Sequence, residues 1–140
     1  MSGKPKAAVV DNVDVCRDFL AELLHDSGYE VVKFPDAESF LSTFGLEGQR
    51  AHDRLCIDLL IIDNRLPGLS GLDLLGLLNI WGGALFGGRK AICSGNWTAQ
   101  ERLRAENYGC RVFSKPYDLP EIIAWLENQR TRPVDRLLQS

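Results

Sequence analysis

Five short apolar runs, set apart by stretches of helical period, constrain this chain more than any other feature of it. The runs are Ala7-Ala8-Val9-Val10, Glu30-Val31-Val32-Lys33-Phe34, Leu59-Leu60-Ile61-Ile62, Ala91-Ile92-Cys93 and Val112-Phe113. Runs this short, rich in β-branched residues, read as strands, and a helix between successive strands makes their pairing parallel. The first and third runs are apolar throughout and have no polar face to give to water, so they are expected inside the sheet. The expected fold class is α/β: a doubly wound, five-stranded parallel sheet with helices on both faces.

The helical stretches carry their own start and stop signals. Asp14 can cap a first helix whose Cys16, Phe19, Leu20, Leu23 and Leu24 share one face, with Gly28 at its C-terminal turn. Pro35-Asp36 opens a second, with Phe40, Leu41 and Phe44 turned inward. A third, from Leu72 to Trp81, is apolar on most sides and runs on to Ala84-Leu85-Phe86, so it needs cover, either from that following segment or from a partner. Thr98-Ala-Gln-Glu101 reads as a capping box for a fourth, and Asp118-Leu-Pro120 starts a fifth that carries Ile122, Ile123 and Leu126.

A length of 140 residues suits one domain with a core of its own. Residues 1–129 are expected to form it, with residues 130–140, broken by Pro133, as a tail or the start of a linker, and residues 45–54 as a surface loop. Sixteen basic residues against nineteen acidic ones, with no basic stripe, argue against direct nucleic-acid binding. No apolar run is long enough to span a bilayer and none follows the N-terminus as a signal peptide would, so a cytoplasmic protein with no membrane partner is expected. Cys16, Cys56, Cys93 and Cys110 form no Cys-x-x-Cys pair and read as small buried thiols. His25 and His52 read as a helix-end and a loop residue.

In a doubly wound sheet, ligands bind beyond the carboxyl ends of the strands. The polar residues there are Asp11 and Asn12 after the first strand, Asp63 after the third, Ser94 after the fourth and Lys115 after the fifth. Carboxylate and amide oxygens suit Mg²⁺, which keeps waters and shares phosphate oxygens. A hydroxyl and an ammonium suit the remaining phosphoryl oxygens, and a carboxylate can act as a nucleophile that forms an acyl phosphate.

Val9-Val10-Asp11, the block Asp58-Leu-Leu-Ile-Ile-Asp63-Asn-Arg-Leu-Pro67-Gly68-Leu-Ser-Gly71-Leu, Ser94-Gly95 and Phe113-Ser-Lys115-Pro116-Tyr117 occur in one order. Together they resemble the receiver domains of bacterial two-component response regulators, over nearly all of residues 6–129. The resemblance implies a flavodoxin-like receiver fold that works as a signalling domain, catalysing at most its own phosphorylation and dephosphorylation. It implies that Asp63 is the phosphoacceptor, with Lys115 on the phosphoryl group and Ser94 as the switch hydroxyl. Asp11, Asn12, Asp63 and the backbone carbonyl of Arg65 then form the metal site. Arg65 and Asn96 fall where the family tunes the lifetime of the acyl phosphate. A histidine kinase or phosphotransfer protein would be the donor, and the face of the fourth and fifth helices, or the apolar third helix, the surface for a partner or a second copy.

Two departures from the family pattern matter. Asn12 stands where an acid ordinarily binds the metal; a unit-charge pair at ~4 Å and an effective dielectric near 20 is worth roughly 4 kcal/mol before desolvation offsets much of it. Mg²⁺ binding is expected to be weakened, not abolished. Val112 stands three residues before Lys115, where the family places a mobile aromatic, and Phe113 beside it could act only from a shifted register. These departures keep open an alternative, a degenerate receiver that docks or dimerises without phosphorylation. Trp97, Tyr117 and Trp125 are candidate contact residues around the last two helices. An enzyme on this scaffold fits less well, because no Gly-x-Gly-x-x-Gly or Walker loop is present and no second aspartate lies two residues after Asp63.

Overall fold

A computed structural model describes residues 3–44, 57–82 and 89–130. The expected loop at residues 45–54, His52, Cys56, the segment at 84–86 and residues 131–140 lie outside the described residues. Among the described residues five strands alternate with five helices: β1 Lys6–Val10, α1 Asp14–Asp26, β2 Glu30–Phe34, α2 Ala37–Phe44, β3 Leu59–Asp63, α3 Gly71–Gly82, β4 Arg89–Ser94, α4 Ala99–Asn107, β5 Arg111–Ser114 and α5 Leu119–Arg130.

All strands are parallel, in the order β2-β1-β3-β4-β5. The chain winds outward from β1 to β2 and then, from β3, the other way, so strand order reverses between β1 and β3. The apolar β1 and β3 are interior strands, β3 central and buried along its whole length.

The pleat sorts side chains into two cores. Ala8, Val10, Leu60, Ile62 and Ile92 face one layer, where α2, α3 and α4 contribute Phe40, Leu72, Leu74, Leu75, Leu78 and Ala105. Ala7, Val9, Leu59, Ile61, Ala91, Cys93 and Phe113 face the other, closed by Leu20 and Leu24 of α1 and Ile122, Trp125 and Leu126 of α5. Four leucines of α3 are thus spent on the core, Leu77 is half-buried, and Ile80 is 76% exposed.

Several helix details differ from the sequence expectation. Val13, not Asp14, is the N-cap of α1, because the Asp11 side chain already accepts from Val13 N and Asp14 pairs with Arg17 instead. Phe19 does not enter the core; it stays 39% exposed and stacks on Tyr117 at 5.9 Å. Ile123 is also exposed, since Ile122, Trp125 and Leu126 fill the inner face of α5. Trp125 is therefore a core residue and not a surface contact; it meets Phe113 edge-to-face at 5.6 Å. The capping box of α4 is present with both reciprocal bonds between Thr98 and Glu101.

Gly71 opens α3 against the end of β3. A Cβ there would lie 2.6 Å from the Asp63 carbonyl oxygen and 2.9 Å from Asn64 Cα, backbone that cannot swing aside. Gly71→Ala is expected to cost about 1–3 kcal/mol in urea unfolding, by overpacking; an unchanged midpoint would show that the strand end yields. Burial also pushes the Cys93 thiol up to about 12 and the Cys110 thiol up to about 11. Both are therefore protonated and shielded at neutral pH. Peptide mapping after alkylation at pH 8 should find them modified far more slowly than in urea, with the partly exposed Cys16 labelled before either.

Candidate functional site

Parity and register bring the charged residues together before any helix is considered. β1 and β3 pair as Val9↔Ile61 and Val10↔Ile62, which carries Asp11 level with Asp63 one step on. β3 and β4 pair as Asp63↔Cys93, and β4 and β5 as Ser94↔Ser114. Asp11, Asp63 and Lys115 fall on the pleat positions of the α1/α5 layer, whereas Asn64 and Ser94 fall on those of the α2/α3/α4 layer.

The two carboxylates are buried, Asp11 at 0% and Asp63 at 4% exposure, and share one ammonium. Lys115 Nζ lies 3.0 Å from Asp63 Oδ1 and 3.6 Å from Asp11 Oδ2. Its chain is placed by its backbone N–H, which donates to the Ser94 carbonyl at 2.9 Å, and its Nζ sits 5.8 Å from the Tyr117 ring centre. Burial raises the pKa of Asp63 above the ordinary carboxylate value; the Lys115 ammonium opposes this and the Asp11 charge adds to it. Burial works against the Lys115 charge, but the Asp63 contact outweighs it and its pKa is raised.

Asp11 Oδ1 accepts from Val13 N at 2.9 Å, which fixes the carboxylate and leaves Oδ2 facing Lys115. Asp11 Oδ2 and Asp63 Oδ1 are buried oxygens with no well-directed hydrogen-bond donor. Beside them opens a cleft of about 410 Å³ lined by Asn12, Val13, Asp63, Arg65, Gly95, Asn96 and Lys115. Two under-satisfied carboxylate oxygens, an amide at Asn12 and a turn at Arg65 supply only hard oxygen donors, which fit a hard divalent cation such as Mg²⁺. Among the described residues no cluster of three His, Cys, Asp or Glu side chains forms.

Ser94 reaches the same rim but is fully buried and absent from the cleft wall. Its Oγ accepts from Asn96 N at 3.2 Å. The question left by Val112 and Phe113 is answered by parity: Val112 packs against the α2/α3/α4 core on the Ser94 side, and Phe113 is locked in the other core against Trp125. Phe113 takes no shifted register.

Asn64 is the residue that sequence reasoning missed. It is buried, its side-chain oxygen accepts from Leu72 N at 3.1 Å, and its carbonyl accepts from Leu66 N and Gly71 N. It thereby folds the turn after Asp63 onto the start of α3, and Glu38 Oε2 holds that turn from α2 through Leu69 N at 3.2 Å. An asparagine directly before a turn and a helix was the available signal. His25, at the end of α1, is exposed and remote from this rim.

Comparison with known proteins agrees with this geometry. The family model for the response regulator receiver domain matches residues 7–127. Among curated relatives, the transcriptional regulatory protein FixJ of Azorhizobium caulinodans is 34% identical over 117 residues, 83% of this chain and 50% of that protein. A probable transcriptional regulatory protein of Picosynechococcus is 28% identical over 89% of this chain and 48% of its own length. The chain thus spans about half the length of the curated relatives it matches. Two solved structures are similar in fold and sequence. The non-phosphorylated receiver domain of HemR from Leptospira biflexa has a TM-score of 0.72 at 26% identity, covering 93% of this chain and 98% of that one. A response regulator receiver protein from Pseudomonas putida has 0.71 at 27%, covering 91% and 98%. On sheet order, site geometry and family match together, the chain belongs to the response regulator receiver domains, the signalling modules of two-component systems.

Proposed function

We propose that this receiver accepts a phosphoryl group on Asp63 from a histidine kinase or phosphotransfer protein and so changes its partner-binding surface. The observation that carries this is the Asp63 side chain in the wall of the cleft, with the Lys115 ammonium 3.0 Å from its buried Oδ1. A carboxylate oxygen of Asp63 attacks phosphorus, the bond from phosphorus to the donor nitrogen breaks, and an acyl phosphate results. Lys115 neutralises the oxygens of the group in transfer, and the Ser94 hydroxyl turns towards it. Asp11, Asp63, the Asn12 amide oxygen and the Arg65 backbone carbonyl would hold Mg²⁺, which supplies charge neutralisation at the phosphoryl oxygens. Water later cleaves the acyl phosphate, so the domain performs at most its own phosphorylation and dephosphorylation.

Residues 1–129 are the receiver in this proposal, and residues 130–140 a tail or the start of a linker. The responding surface is assigned to the edge formed by α4, β5 and α5. Asn12 is the observation that favours a second reading, a docking or dimerising module independent of phosphorylation, because an amide stands there beside Asp11 in place of a second acid.

Intact mass after incubation with a small-molecule phosphodonor separates the two. A gain of one phosphoryl group that needs Mg²⁺ and vanishes in Asp63→Ala supports the switch. Asn12→Asp should then lower the Mg²⁺ needed for half-maximal labelling by roughly tenfold, what remains of the added charge after desolvation. No gain at high Mg²⁺ with the fold intact would favour the docking module.

The same site should reduce the stability of the domain. Because the native pKa of Asp63 lies above the unfolded value near 3.8, the native state binds more protons in the window between them. Stability is therefore lost as pH rises through that window. Asp63→Asn is expected to raise the urea midpoint at pH 7, with the gain narrowing towards pH 4. A lower midpoint at pH 7 would mean that the Lys115 ion pair outweighs burial.

A further inference from the structure

The loop between β4 and α4 is fastened to β5 at both of its ends. At the strand end, Lys115 N donates to the Ser94 carbonyl at 2.9 Å. At the helix end, Trp97 folds back over β5 and its indole N–H donates to the Phe113 carbonyl at 3.0 Å. The ring is half-buried against the same core layer as Val112 and Tyr108. The guanidinium of Arg102, one turn into α4, lies 5.9 Å from its centre. Gly95 and Asn96, between the two fastenings, line the cleft at Asp63.

Neither packed side chain of β5 is suited to carry motion from Ser94 to the α4 surface. Val112 is on the correct face but is β-branched and short, with little rotameric travel. Phe113 is on the wrong face. Trp97 is on the Ser94 side, is large, and has a polar tip bonded to the β5 backbone.

We propose that Trp97 is the positioning residue that couples the Ser94 hydroxyl to the α4–β5 surface, in place of an aromatic on β5. This builds on the assignment of Asp63 as phosphoacceptor. When Ser94 Oγ turns to the phosphoryl group it leaves Asn96 N, and that partly buried donor must find another acceptor. Gly95 and Asn96 shift, and the next residue in the chain is Trp97. Its indole then pulls on the Phe113 carbonyl, two residues from Lys115, and its ring slides under Arg102. The surface consequence is a changed α4 N-terminus beside β5.

The test is amide and indole NMR on the full chain with Mg²⁺ and beryllofluoride, a mimic of the phosphoryl group, for wild type and Trp97→Phe. Trp97→Phe keeps an aromatic ring and removes the N–H. Expected in wild type is a shift of the Trp97 indole signal together with the amides of Asn64, Asn96, Arg102 and Val112. In Trp97→Phe the Asn64 shift should persist while those of Arg102 and Val112 fall by half or more. An indole signal that stays still while Asn64 moves, or undiminished Arg102 and Val112 shifts in the variant, overturns the proposal. Absence of any Asn64 shift in wild type would instead count against Asp63 as acceptor. The coupling is then decided in the resting protein by Ser94→Ala. About fivefold faster hydrogen exchange of the Trp97 indole, the scale of one lost hydrogen bond, supports it, and unchanged exchange overturns it.

Discussion

Two carboxylates held side by side at the ends of adjacent strands repel each other and resist leaving water, and the position of Lys115 follows from that. With Asp11 and Asp63 both buried, an isolated pair would protonate or force the strand ends apart. The ammonium between them, 3.0 Å from one and 3.6 Å from the other, permits both charges. For it to arrive there, β5 must lie beside β4 with Lys115 one residue past the strand, a placement set by its N–H on the Ser94 carbonyl. The compensation is incomplete, since burial still holds Asp63 above its ordinary pKa. A carboxylate in that condition gains from a hard cation or from esterification of one oxygen.

The fold was legible in the sequence because each strand is a short run with no competing period. Five runs with helices between them fix a parallel sheet, and the polar residue ending each run fixes the rim. Asp11, Asp63, Ser94 and Lys115 could be named on that ground, and the structure brings Asp11, Asp63 and Lys115 into contact. What the pattern could not show was which neighbour covers each helix face. Phe19 has helical spacing with Leu20 and Leu24, yet Tyr117 from the β5–α5 turn meets it outside the core. Ile123 lost its place to Trp125, a residue large enough to fill the inner face of α5 alone.

Hydrogen bonds within turns were legible still less, because they depend on where a side chain points once the chain has bent. Asp14 has the composition of a cap, but the carboxylate of Asp11 reaches the first turn before it. Asn64 and Trp97 gave no periodic signal at all, yet one ties the turn after Asp63 to α3 and the other ties the β4–α4 loop to β5. Both act through backbone groups, which a list of side chains does not display.

The alternation of the pleat has a consequence for how this domain can diversify. Asp63 and Asn64 are neighbours in sequence but answer to opposite layers, and so do Cys93 and Ser94. Side-chain changes in α2, α3 or α4 therefore bear first on Asn64 and Ser94, the residues that set turn geometry, and on the charged trio through shared backbone, as where Gly71 abuts the Asp63 carbonyl. Drift in α1 or α5 does the reverse. The sheet thus sorts inherited changes by layer, and the two sets meet where backbone bonds cross between strands, as Lys115 N does to the Ser94 carbonyl.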